Sequence, residues 1–93
     1  MILSSMMKFN LGRLVISPAA LQTLSEDEIC RAIDQHVLGQ WGDVSEHERD
    51  ANELALSTAS TLLSVYHTDI GTEFRIMTTG DRFMTTVYLP SED

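Results

Sequence analysis

Positive charge is scarce in this chain: six Lys and Arg stand against fourteen Asp and Glu in 93 residues, for a formal net charge of −8. Phosphate backbones and anionic lipid surfaces are held by clustered Lys and Arg, so six scattered basic residues argue against unaided binding to DNA, RNA or a membrane surface. Acidity of this kind serves solubility, or it offers a surface to a basic partner. Cysteine is almost missing too. Cys30 stands alone, which excludes an intrachain disulfide and fits a reducing cytosol. Its place in a helical pattern reads as a small buried apolar group, not a nucleophile. No apolar run approaches the roughly 20 residues that cross a bilayer. The opening MILSSMM is too short for a signal peptide and lacks its positive flank. The expectation is a soluble intracellular protein without internal repeats, low-complexity stretches or linkers.

What is present fits one small domain. With 43% hydrophobic residues a single core is adequate but not generous at this length, so self-association can add stability. The expected organisation is a disordered extension over residues 1–7, one domain over residues 8–90 and a short tail over residues 91–93. Residues 8–16 end in a β-prone run, after which Ser17 supplies an N-cap and Pro18 the first helical position of a short helix reaching Leu24. Ser25 and Glu28 form a capping box, with Leu24 and Ile29 placed as a hydrophobic staple, so a second helix starts at Glu26. Its apolar stripe is Ile29, Ile33 and Val37 with Cys30 and Trp41 alongside, and Gly39 and Gly42 supply the stop. A second capping box, Ser45 with Glu48, opens a third helix whose Ala51, Leu54, Ala55 and Thr58 share a narrow face.

From Thr61 the period changes to that of strands. Residues 62–68, 72–79 and 82–89 are three runs separated by Ile70-Gly71 and Gly80-Asp81, which reads as an antiparallel meander. A two-residue turn at Gly80-Asp81 pairs Thr78 with Phe83, Ile76 with Thr85 and Phe74 with Val87. One face is then Phe74, Ile76, Phe83, Val87 and Leu89. The other is Glu73, Arg75, Met77, Met84, Thr86 and Tyr88, a mixed surface suited to solvent or to a dimer seam. For the first run, a two-residue turn sends Leu63, Val65 and His67 inward and a three-residue turn sends Leu62, Ser64 and Tyr66. The former is preferred because Val65 opposite Ile76 buries more apolar area. The fold class is α+β: an N-terminal strand, two to three helices, then a three-stranded antiparallel meander with the helices on one sheet face.

The residues offer no catalytic signature. His36, Asp43, His47 and Asp50 have ligand-type side chains, but the two His lie on different expected helices and no HExxH or HxH pair exists. His36 borders the buried stripe, where a hydrogen-bonded structural histidine is the simpler account. There is no GxSxG, no glycine-rich phosphate loop, and no base placed for Cys30. Asp81-Arg82 reads as turn chemistry with an exposed charge pair of little worth. Trp41-Gly42-Asp43 stands out: glycines on both sides of a large aromatic suit a tight turn that either closes the core or anchors a partner. Asn52, a poor helix former, is placed to hydrogen-bond locally or to a ligand. The candidate interface is therefore Trp41, Asp43, Glu46, His47, Asp50 and Asn52, with no cofactor or metal assigned.

Four segments carry a resemblance: KFNLGRLVISPAAL, HVLGQWGDVSEHERDANELAL, LLSVYHTDIGTEFRIMTT and DRFMTTVYLP, in that order. Together they span most of residues 8–90. The chain resembles a family of small uncharacterised proteins of integrative conjugative elements and plasmids of Gram-negative bacteria. Its members are often labelled plasmid-related protein or restriction endonuclease subunit M. The methyltransferase implied by the second label does not fit a chain this short, which lacks the cofactor-binding glycine motif. The resemblance implies a bacterial cytoplasm and a mobile-element setting and carries no catalytic residue. The leading expectation is a non-enzymatic accessory protein acting through protein contacts, with a homodimer through the mixed sheet face. Two alternatives differ in class. One is a nucleic-acid mimic presenting Glu26, Asp27, Asp43, Glu46, Glu48, Asp50 and Glu53 to a nuclease or defence complex. The other is a small metal-assisted hydrolase built on His36, Asp43 and His47.

Overall fold

The computed structural model describes residues 6–92. The extension expected over residues 1–7 lies outside the described residues except for Met6 and Met7, as does Asp93 of the expected tail. The element order is β1 (Arg13–Ile16), α1 (Pro18–Thr23), α2 (Glu26–Val37), α3 (Glu46–Thr58), β2 (Leu62–His67), β3 (Glu73–Thr78) and β4 (Met84–Tyr88), closed by a 3-10 turn over Pro90–Glu92. The strands form one sheet in the order β1-β4-β3-β2, with β1 parallel to β4 and the rest antiparallel. This is the expected α+β architecture, with β1 entering at an edge.

Helix starts follow local chemistry. Ser17 Oγ accepts from Ala20 N–H ahead of Pro18, and both capping boxes close, Ser25 with Glu28 and Ser45 with Glu48. These caps satisfy N–H groups that have no intrahelical partner. At its other end α2 stops in a Schellman motif: Gln40 N–H donates to Gln35 C=O and Gly39 N–H to His36 C=O. Gly39 holds φ +78° there, a conformation that a side chain would strain.

The main core joins Ala20, Leu24, Ile29 and Ala32 of the helical layer to Tyr66, Phe74, Ile76 and Val87 of the sheet. A second cluster of Trp41, Val44, Ala55, Leu62 and Val65 fills the space around β2, with Phe9 and Leu56 against it. Burying side chains of this size contributes on the order of 2 kcal/mol each. Two expected core assignments fail. Cys30 is exposed, because α2 turns Ile29, Ala32, His36 and Val37 inward instead. The third helix buries Asn52 and Ala55, whereas Leu54 is 63% exposed and Ala51 and Thr58 face out. The helix is rotated because Asn52 serves the edge of β2.

Both hairpin registers also differ from expectation. In the last hairpin Thr78 pairs with Thr85 and Ile76 with Val87. The loop is wider than two residues, since Asp81 Oδ1 accepts from Phe83 N–H and Thr79 N–H donates to Met84 C=O. A shift of two residues preserves the faces but leaves Phe83, which is 69% exposed, beyond the paired strand and sets Thr85 opposite Thr78 in place of Ile76. In the first hairpin His67 pairs with Glu73 across a loop in which Thr68 and Thr72 bond each other. That register sends Leu62, Ser64 and Tyr66 inward and overturns the preferred Leu63, Val65, His67 set. The area argument for Val65 failed because β2 is covered on both sides, and Val65 is buried at 8% exposure by the second cluster.

Candidate interaction surface

Six residues were expected to form an interface around Trp41, and the fold divides them. Trp41 is buried, its indole Nε1–H donating to Glu53 at 2.8 Å and its ring packed with Phe9 and His36. Asn52 is buried as well. Its amide NH2 donates to Leu63 C=O at 2.7 Å and its carbonyl accepts from Leu63 N–H at 3.0 Å, so the side chain imitates a neighbouring strand. The backbone at residues 41–43 continues this cover: Val65 N–H donates to Trp41 C=O and Asp43 N–H to Val65 C=O. Gly42 permits the approach, for a Cβ there would lie 2.1 Å from Val65 O. Trp41, Gly42 and Asn52 thus seal one edge of the sheet, and only Asp43, Glu46, His47 and Asp50 remain exposed.

The fold does not bring His36, Asp43, His47 and Asp50 together as a ligand set. His36 is fully buried while His47 is exposed on α3, and among the described residues no three His, Cys, Asp or Glu side chains gather in a way that holds a metal ion. Instead His36 sits in a chain of hydroxyls. Its Nδ1 meets Ser64 Oγ, its Nε2 lies 2.9 Å from Thr78 Oγ1, Thr78 lies 2.7 Å from Thr85 Oγ1, and Thr85 donates to Leu11 C=O at 2.6 Å. Donor counting fixes the order. Thr85 gives its one proton to Leu11, so Thr78 donates to Thr85, His36 Nε2–H donates to Thr78, and Ser64 donates to a bare Nδ1. The imidazole is neutral, because burial and the nearby Arg82 guanidinium lower its pKa to about 3. Ser64 beside His36 has the composition of a nucleophile and base, yet both are fully buried, so the pair faces no substrate and ties α2 to the sheet.

Arg82 was expected to be an exposed turn residue and is a structural knot. Its guanidinium donates to Ala55 C=O at 2.8 Å and to Ser60 C=O at 2.7 Å, and it lies 5.7 Å from the centre of the Phe9 ring. A cation at the carbonyl end of α3 also complements the helix dipole. Its backbone holds φ +61°; the sequence signal was an Arg directly after Gly-Asp, where a fork of donors can tie a loop to a helix end.

A cleft of about 310 Å³ opens where β2 leaves the sheet, lined by Glu28, Arg31, Gln40, Asp43, Tyr66 and His67 among others. His67 Nδ1–H donates to Asp43 Oδ2 at 2.8 Å, and the phenol of Tyr66 donates to Gln40 C=O at 2.6 Å. Burial pushes the Tyr66 phenol up to about 12, so it stays protonated. Of the acidic array, Glu26, Asp27 and Glu28 lie in the first turn of α2 and Glu46 and Glu48 in that of α3, while Asp50 and Glu53 lie further along α3 and Asp43 precedes it. Glu28 and Glu48 are engaged as caps, and Glu53 holds Trp41.

The surface left over by the fold is the sheet face opposite the helices. Over β1, β4 and β3 it carries Arg13, Val15, Met77, Met84, Thr86 and Tyr88, together with the Glu73–Arg75 ion pair at 3.0 Å. Most of these side chains are half-buried. A hollow of about 470 Å³ between Ser17, Met77, Thr86, Tyr88 and Glu92 lies on it. The mixed face read from the sequence is therefore present, with the residues expected on it.

Comparison with protein-family models, with curated protein sequences and with solved structures returns no match. No helix among the described residues is long and apolar enough to cross a membrane.

Proposed function

We propose that this chain is a non-catalytic, acidic accessory protein of a bacterial mobile genetic element, working in the cytoplasm through protein–protein contact. The helix-free sheet face is its contact surface. The observation that carries the reading is the half-buried band of Val15, Met77, Met84 and Tyr88 across three strands, on the face opposite the helices. Methionine and tyrosine suit such a surface: the thioether chain adapts its shape, and the phenol buries a ring while keeping a polar end wet. The resemblance over residues 8–90 supports the mobile-element setting. Trp41, the anchor expected from the sequence, is buried and seals the edge of β2.

The test is recovery of partners from a bacterial host lysate with wild-type protein and with Met77→Glu. A second variant, His47→Glu, changes charge on the exposed side of α3. Partners held through the sheet face are recovered by wild type and His47→Glu and lost with Met77→Glu, and they resist high salt because the contact is apolar. Equal recovery by all three proteins refutes the assignment.

A further inference from the structure

The two edges of the sheet are treated in opposite ways. At β2 the backbone is paired with Trp41 and Asp43 and with the amide of Asn52. At β1 only the inner side is paired. Arg13 N–H donates to Phe83 C=O at 2.8 Å and Ser17 N–H to Val87 C=O at 2.9 Å, so Arg13, Val15 and Ser17 turn their backbone groups toward β4. By strand alternation Leu14 and Ile16 turn theirs outward, and among the described residues no backbone group pairs with them. An open edge of this kind is a template for another strand.

We infer that β1 is a self-pairing edge: two copies of this chain join β1 to β1 in antiparallel fashion and make one eight-stranded sheet. The geometry is self-complementary. A twofold axis at Val15 sets Leu14 against Ile16 of the second copy and Ile16 against its Leu14. Each such pair exchanges two hydrogen bonds, and Val15 meets its own counterpart.

Charge selects the same place. All fourteen Asp and Glu lie from Glu26 onward, and the only charges before it are Lys8 and Arg13. Two copies each carrying −8 repel one another over most approaches, but β1 and α1 bring no acid of their own to the contact. Glu92 and Asp81 are acids that reach this end, and both carboxylates are engaged: Glu92 by Ser17 Oγ and Leu89 N–H, Asp81 by Thr79 Oγ1 and Phe83 N–H. Exposed apolar residues lie here as well: Leu14 is 44% exposed in β1, Leu21 60% in α1, and Phe83 69% beside Arg13. Pairing places Leu14 against Ile16 of the other copy on the core side of the sheet. The inference is independent of the sheet-face reading, because edge pairing leaves Met77 and Tyr88 uncovered.

The experiment is sedimentation of the full chain over a concentration series, at low and high salt, with backbone amide exchange read by NMR. Wild type forms a dimer that strengthens as salt screens the like charges. Amides of Leu14 and Ile16 become protected as the dimer forms, whereas Arg13 and Val15 are protected at every concentration. Leu14→Pro removes an outward N–H and no bond to β4, and Leu14→Lys keeps the backbone but sets a cation into the seam. Each raises the dimer dissociation constant by at least about tenfold. A protein that stays monomeric at all concentrations overturns the inference. So does a dimer that survives Leu14→Lys with Leu14 and Ile16 amides unprotected. Loss of dimer with Met77→Glu but not with either Leu14 variant would likewise overturn it and return the seam to the sheet face.

Discussion

Lowering the pH from about 7.5 to about 5 should weaken this protein, and His36 is the reason. In the folded state the imidazole is buried, donates to Thr78 and accepts from Ser64, and its pKa falls from 6.5 to about 3. Above pH 6.5 the ring is neutral in both folded and unfolded chains and contributes nothing to the pH dependence. Below it the unfolded chain takes up a proton that the folded chain refuses, so stability falls by about 1.4 kcal/mol per pH unit until the folded pKa is reached. Between about pH 7.5 and about pH 5 the loss is about 2 kcal/mol. That is a large share of the roughly 5 to 15 kcal/mol that holds a small domain. The assay is urea unfolding followed by Trp41 fluorescence at the two pH values, repeated with His36→Gln, which keeps a donor and an acceptor but takes no proton in this range. Wild type loses the 2 kcal/mol and the variant loses little. Equal stability of wild type at both pH values, or an equal loss in His36→Gln, refutes the assignment of a neutral, sealed imidazole.

Asn52→Leu removes both partners of the Leu63 backbone and should cost about 2 to 4 kcal/mol in urea unfolding; a loss under about 1 kcal/mol would show that water replaces the amide without penalty. Gly42→Ala sets a Cβ against Val65 O and the Tyr66 ring. It should destabilise by about 2 kcal/mol or more and shift Trp41 emission to the red as residues 41–43 leave β2. Arg82→Ala should cost about 1 to 3 kcal/mol by freeing the Ala55 and Ser60 carbonyls. Arg82→Lys should not restore it, because one ammonium lacks the fork that spans them; a lysine variant as stable as wild type would contradict that geometry.

Helix starts were legible in the sequence because a cap is local chemistry: Ser17 with Pro18, Ser25 with Glu28, and Ser45 with Glu48 each satisfy N–H groups within three residues. The strand order of the meander and the mixed sheet face were legible from alternation. The rotation of α3 was not, because hydropathy favours burying Leu54 while the fold needs Asn52 against Leu63. The same blindness hid the inward row of Ser64, Thr78 and Thr85, polar residues satisfied by one another and by His36. Hairpin registers escaped because the widths of both loops are set by side chains, Asp81 in one and Thr68 in the other. Of the expected interface, Asp43, Glu46, His47 and Asp50 do reach the surface, whereas Trp41 and Asn52 were drawn inward by the unsatisfied edge of β2.

The parallel pairing of β1 with β4 also sets the order in which the chain can complete itself. Arg13 finds its partner in Met84, across nearly the whole described sequence, while every other strand pairs with its neighbour in the chain. Closing so long a loop is slow compared with forming a hairpin. During synthesis the β1 segment leaves the ribosome without a partner and must wait until β4 has followed. Through that interval Leu14, Val15 and Ile16 are exposed along both edges, so the stretch best suited to joining two finished copies is also the one that crowded, unfinished chains are most prone to misuse.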